Sequence, residues 1–200
     1  MKIGDQFPSA RRGERIGLLG GSFDPAHEGH AHITRVALKR FRLDTVWWLV
    51  SPGNPLKQRG PADMNRRLTA ARDIAPARTN VTDIETHLGT QYTADTLAAL
   101  KARYPQVRFV WLMGSDNLIQ FHKWADWRWI IENFPIGVLA RPGSQVRAGL
   151  SPAARRYRQS RLRRFEAARL ADCQAPAWAL LTGTMSSASS TAIRDRGDWP

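Results

Sequence analysis

The chain has 200 residues, 42% hydrophobic and 24% charged, with 30 Lys and Arg against 17 Asp and Glu and a formal net charge of +13. That length supports one α/β domain with a substantial core; no apolar run approaches the roughly 20 residues of a membrane span, and the polar start over residues 1–15 lacks a signal peptide's apolar segment. The single cysteine, Cys173, excludes an internal disulfide and a cysteine-rich zinc site, so the cytoplasm is the expected compartment.

Residues 1–14 read as a polar leader and 15–200 as the domain. A strand is expected over 15–20. Ile33, Ala37 and Phe41, at four-residue spacing, predict a helix over 27–41. Between the two lies Gly20-Gly21-Ser22-Phe23-Asp24-Pro25-Ala26-His27-Glu28-Gly29-His30, a glycine turn running into a helix start. That layout aims backbone N–H groups at a phosphate. His27 and His30 fall on one face of the first helical turn, and Gly29 leaves room for a phosphate close to the backbone. Imidazole N–H groups suit phosphate oxygens that gain charge in a transition state. His32 faces elsewhere on the helix, and Asp24 reads as a turn former rather than a metal ligand.

Thr45-Val46-Trp47-Trp48-Leu49-Val50 is apolar almost throughout, as a buried parallel strand is, and Ser51-Pro52-Gly53-Asn54-Pro55 breaks it into a loop. Residues 64–75 are helix-like. Residues 81–85 form a short strand candidate whose Glu85 is open to ribose contact or to plain solvation. Thr93 as N-cap opens a helix running to about Tyr104. A strand over 107–113 ends at Gly114-Ser115-Asp116. Two short helices follow over 117–133, then a strand over 136–140 and the loosest interior stretch, 141–151. The arginine-rich region is expected as a surface helix over 152–170, followed by a strand over 178–181. A last helical turn or two spans 189–196, with Ser189 or Ser190 as cap.

Strands alternating with helices give an α/β fold: a Rossmann-like parallel sheet with helices on both faces, binding ligands beyond the carboxyl ends of its strands. The sharpest motifs all follow strand ends. The chain has neither G-x-G-x-x-G nor a P-loop, which argues against hydride-transfer dehydrogenases and P-loop kinases. The excess positive charge fits a solvated basic surface or attraction of polyanionic small molecules; the basic run over 155–164 alone is weak support for RNA binding, and no nucleic-acid partner is expected.

The glycine–histidine run resembles the signature of nucleotidyltransferases with an H-x-G-H core. The resemblance extends across residues 15–196, through Pro52-Gly53-Asn54-Pro55-Leu56-Lys57, Gln91-Tyr92-Thr93-Ala94-Asp95-Thr96-Leu97, Gly114-Ser115-Asp116 with Phe121-His122-Lys123-Trp124 and Trp127, Ala140-Arg141-Pro142-Gly143, and Ser189-Ser190-Thr191-Ala192-Ile193-Arg194. In these blocks the chain resembles bacterial nicotinate-nucleotide adenylyltransferases. The resemblance implies Mg²⁺-dependent transfer of the adenylyl group of ATP to nicotinate mononucleotide, giving nicotinate adenine dinucleotide and pyrophosphate. It implies catalytic roles for His27, His30, Lys57 and Arg194. Gly21, Ser22, Phe23, Asp116, Arg141, Ser190 and Thr191 would join the two histidines and Arg194 in binding ATP. Lys57, Tyr92, Thr93 and Trp124 would bind the mononucleotide, Trp124 as a platform for the pyridine ring. Phosphopantetheine or nicotinamide mononucleotide as acceptor, or a non-catalytic nucleotide sensor, are the competing readings. A homo-oligomer is compatible with the sequence.

Overall fold

A computed structural model describes residues 7–53, 60–182, 190–197 and 199. Six strands form one parallel sheet: β1 (Arg15–Gly21), β2 (Thr45–Val50), β3 (Thr79–Thr82), β4 (Arg108–Gly114), β5 (Ile136–Leu139) and β6 (Trp178–Leu181), in the spatial order β3-β2-β1-β4-β5-β6. The order reverses between β1 and β4, so the crevice at their carboxyl ends is the topological switch point where such sheets take ligands.

Strand alternation divides the core into two layers. Ile16, Leu18, Trp47, Leu49, Trp111, Met113 and Val138 face one side. On that side pack α4 (Thr93–Arg103), α5 (Ser115–Gln120) and α6 (Trp127–Asn133). Leu19, Val46, Trp48, Val50, Val110 and Leu112 face the other, under α1 (Glu28–Arg40) and α2 (Met64–Ile74). This two-sided burial explains why β2 reads as an unbroken apolar run. The expected α/β architecture is the one observed.

Local boundaries differ in four places. The strand expected over 81–85 lies two residues earlier: β3 ends at Thr82, whose hydroxyl accepts from the N–H of Ile84, and α3 (Ile84–Leu88) follows, closed by Gly89 at φ 65°. Tyr92, not Thr93, is the N-cap of α4. The loose stretch after β5 holds α7 (Gln145–Gly149). The expected helix over 152–170 is broken into α8 (Pro152–Arg156), a 3-10 turn (Arg158–Ser160) and a 3-10 helix (Arg164–Asp172). The cause is tertiary. Trp178 Nε1 donates to the carbonyl of Tyr157 at 2.8 Å, and Leu162 N–H donates to that of Trp178 at 2.8 Å, which draws the chain onto the sheet edge.

Residues 7–14 are fastened to the body. Tyr104 Oη donates to the Pro8 carbonyl at 2.8 Å, and Arg103 stacks on Phe7 at 3.8 Å. α9 (Ser190–Asp195) returns to the carboxyl end of β1, where Ser190 Oγ donates to the Pro25 carbonyl at 2.9 Å.

Candidate active site

The centre of the site is the N-terminus of α1. His27 is its N-cap, in extended backbone, and its Nδ1 accepts from the Gly29 N–H at 3.0 Å. The His27 N–H donates in turn to His30 Nδ1 at 3.2 Å, so the two histidines form a reciprocal capping box. Each Nδ1 therefore acts as an acceptor. A neutral imidazole carries its one proton on the other nitrogen, so this hydrogen-bond pattern assigns Nε2–H to both rings. Burial, reinforced by the charge of Arg141, lowers His27 to about 4. Burial, then the charges of His27 and Arg141, lowers His30 to about 3 against the opposing backbone hydrogen bond. Both rings are neutral donors at neutral pH. The N–H groups of His27 and Gly29 are taken up by these imidazoles, and each ring keeps an Nε2–H on its other nitrogen.

An aromatic stack holds the rings. His27 and His30 lie 4.0 Å apart between centroids, Phe23 lies 4.5 Å from His30, and Phe23 stacks on Trp48 at 5.1 Å. Trp48 is fixed by donating to Thr34 Oγ1 at 2.7 Å. Phe23 is 1% exposed and has φ 47°, a left-handed conformation that is costly for a bulky residue. Its role is thus to prop His30 from within, not to line an open surface with its ring.

Asp24 ties three segments to this turn. Its carboxylate accepts from Ala62 N–H and from Trp199 Nε1, and pairs with Arg194 at 3.7 Å; Arg194 Nη1 also donates to the Asp24 carbonyl. Arg194 Nη2 reaches Thr191 Oγ1 at 3.4 Å. The expected cluster of Ser190, Thr191 and Arg194 is therefore brought next to the histidine turn, and Asp24 does more than shape the turn. Ser189 and Lys57 lie outside the described residues.

Arg141 and Asp116 close the opposite side, beyond β4 and β5. Arg141 Nε pairs with Asp116 Oδ1 at 3.3 Å, its N–H donates to Ser115 Oγ at 2.8 Å, and Ser144 Oγ donates to its carbonyl at 2.9 Å. A Cβ at Gly114 would lie 2.3 Å from Asp116 Oδ1 and 3.1 Å from Arg141 Nε, so only glycine admits this pair. Trp124 is half-buried, edge-on to Trp111 at 6.4 Å and to Phe121 at 5.4 Å. The Trp111 ring lies against Gly20, where a Cβ would meet it at 2.5 Å. One indole thus separates the candidate ring platform from the glycine turn.

At the start of α4, no side chain caps the helix and Tyr92 is 48% exposed. Glu85 is not the solvated strand-end group allowed for above. It is buried in α3 and accepts from Thr96 Oγ1 at 3.4 Å, and burial raises its carboxyl to about 7 against that hydrogen bond.

The residue that sequence reasoning missed is Arg67. It is 2% exposed, with no carboxylate in ion-pair contact among the described residues. Its Nε donates to the Ala62 carbonyl at 2.7 Å, and its Nη1 donates to the carbonyls of Ser22 and Ser51 at 2.7 and 2.8 Å. One guanidinium thereby fastens the loops after β1 and β2 and the approach to α2. The available signal was an arginine on the apolar face of α2, beside Leu68 and four residues before Ala71.

Residues 18–196 match the Cytidylyltransferase-like family. A relative from Ruegeria pomeroyi, described as a probable nicotinate-nucleotide adenylyltransferase, is 58% identical over 194 residues, covering 96% of this chain and 91% of its own. One of the same description from Cereibacter sphaeroides is 60% identical over 185 residues, covering 92% and 98%. Among solved structures, the Plasmodium falciparum nicotinic acid mononucleotide adenylyltransferase complexed with NaAD shares the fold, with a TM-score of 0.70 at 16% identity, covering 91% of this chain and 83% of that one.

Proposed function

The chain belongs to the nicotinate-nucleotide adenylyltransferases, within the Cytidylyltransferase-like family, and from that membership we infer that it transfers the adenylyl group of ATP to nicotinate mononucleotide, a step of NAD biosynthesis. The mononucleotide's 5′-phosphate attacks the α-phosphorus of ATP; the new P–O bond forms as the bond to pyrophosphate breaks, and the electron pair leaves with pyrophosphate. The attacking phosphate is already ionised at neutral pH, so no strong base is needed and catalysis consists of positioning and charge stabilisation.

The observation that carries this reading is the histidine capping box. It presents two neutral Nε2–H donors that need no reorganisation as charge builds on phosphate oxygens. His30 is assigned to the α-phosphate and His27 to its neighbours. Lys57 would hold the attacking and ATP phosphates, and Arg194, with Ser190 and Thr191, the leaving pyrophosphate. Gly21 and Ser22 line the turn through backbone. Asp116 and Arg141 face the ATP side. The uncapped start of α4, at Tyr92 and Thr93, suits the nicotinate carboxylate, with the pyridine ring on Trp124.

Mg²⁺ enters with ATP as part of that substrate, supplying charge neutralisation on its phosphates, and characteristically binds through those phosphates with one or two carboxylates. Among the described residues, no helix is long and apolar enough to cross a membrane. We propose the cytoplasm as its compartment, where ATP for the step is supplied.

The test is Mg²⁺-dependent pyrophosphate release with nicotinate mononucleotide, nicotinamide mononucleotide and phosphopantetheine as parallel acceptors. Selective turnover of the nicotinate form is expected. Preference for either other acceptor, or no turnover, would overturn the assignment.

A further inference from the structure

The arginine-rich stretch that the catalytic reading leaves unused folds around a cavity of its own. Arg155, Arg158 and Arg161 line a space of about 430 Å³ together with Gly149, Ala154 and Trp178. Trp178 is the first residue of β6, so the cavity reaches the amino end of that strand, whereas the histidines follow the carboxyl end of β1. Tyr157 and Leu162 are hydrogen-bonded to Trp178, Arg161 bridges to it as a short parallel pairing, and the Arg161 guanidinium lies over its ring at 5.1 Å.

The charge in this cavity is not balanced from within. Three carboxylates near the stretch are engaged elsewhere: Glu132 accepts from Tyr157 Oη, Glu166 from the Arg163 N–H, and Asp172 pairs with Arg108. No carboxylate among the described residues pairs with Arg155, Arg158 or Arg161. The three arginines are exposed and line one concavity, so an anion there gains from all three charges at once. Guanidinium forks match phosphate oxygens best. Trp178 is 2% exposed and its ring is covered by Arg161, so the cavity offers charge and no free aromatic face for a base. We propose that Arg155, Arg158 and Arg161 form a second anion site, separate from the catalytic centre, that takes a short phosphate chain such as a di- or triphosphate group.

Calorimetric titration with tripolyphosphate tests this. The wild-type protein should bind two equivalents, one at the catalytic phosphate site and one here. The variant R155Q/R158Q/R161Q should bind one, with pyrophosphate-release turnover unchanged and the unliganded protein's melting temperature unchanged or raised. Each single substitution should weaken the second equivalent about tenfold, the scale of one charge-assisted hydrogen bond. The charge-matched control R12Q/R72Q/R128Q should retain both equivalents. Repeating the titration with ATP separates the sources: a second equivalent of ATP means a nucleotide-borne chain enters, and its absence beside tripolyphosphate binding means a free chain. Equal stoichiometry in wild type and triple variant, or equal loss in the control, would overturn the proposal. So would a variant that loses only binding of a single-stranded oligonucleotide, since that marks an extended nucleic-acid surface instead.

Discussion

Two helix N-termini meet the site and are finished in opposite ways. The start of α1 is closed by its own side chains: His27 and His30 satisfy the N–H groups of Gly29 and His27 and are themselves buried or half-buried. The start of α4 has no side-chain cap and an exposed Tyr92. Helix N-termini attract anions through unsatisfied N–H groups and the helix dipole. At α1 part of that capacity is taken up by the imidazoles, whose Nε2–H groups are the donors in the proposed mechanism. At α4 it remains on the backbone, suited to a ground-state carboxylate. In the proposed mechanism the closed, capped start serves catalysis and the open one serves binding.

The largest effect that can break this comparison is at the histidines. His30→Ala should lower kcat by about 10²–10³-fold, the scale of one lost transition-state donor. His27→Ser separates the two jobs of that residue, because serine caps a helix well but has no imidazole Nε2–H. Its melting temperature should stay near wild type while turnover falls as in His30→Ala. Wild-type turnover in His27→Ser would reduce His27 to a cap.

Next in size is Arg67, which holds the loops on the α1 side of the site in register. Arg67→Ala strands three carbonyls and should cost about 3 kcal/mol in chemical denaturation, on the scale of losing a buried hydrogen-bond network. Unchanged stability would mean water replaces the guanidinium without loss.

At the binding end, Trp124→Ala should raise KM for the mononucleotide about tenfold with kcat nearly unchanged, as loss of ring stacking does. An unchanged KM would return Trp124 to the core it packs on.

The smallest effect is a pH-dependence of stability. Glu85 is raised from 4.5 to about 7, so its buried carboxyl costs stability as pH rises between those values. Glu85→Gln should therefore be the more stable protein above pH 7 and match wild type below pH 4.5. The histidines act at the acid side. Their folded-state values lie below 6.5, so their contribution is complete above pH 6.5 and is lost as pH falls through about 4 for His27 and about 3 for His30. A flat difference between Glu85→Gln and wild type across this range would contradict the buried carboxyl.

The sheet was legible because β2 and β4 are apolar on both faces and the helices between them keep a strong period. The motif residues were legible because glycine, histidine and arginine at strand ends have few structural reasons to be there. What was not legible depends on partners distant in sequence. The break at residues 157–162 is made by Trp178, and the helical start at Ile84 is aided by the Thr82 hydroxyl. Arg67 sits on the apolar face of α2, but the three carbonyls that hold it come from segments with no pattern of their own. The reciprocal use of His27 and His30 as a cap is a matter of which ring nitrogen faces inward, which spacing does not reveal.

The most direct test of the account is ¹⁵N NMR of the histidine ring nitrogens across pH 8 to 5. His27 and His30 should both show protonated Nε2 and bare Nδ1 throughout, with no titration near pH 6.5. A proton on Nδ1 of either ring, or titration of either at its ordinary value, would contradict the neutral, capped donor pair on which the mechanism rests.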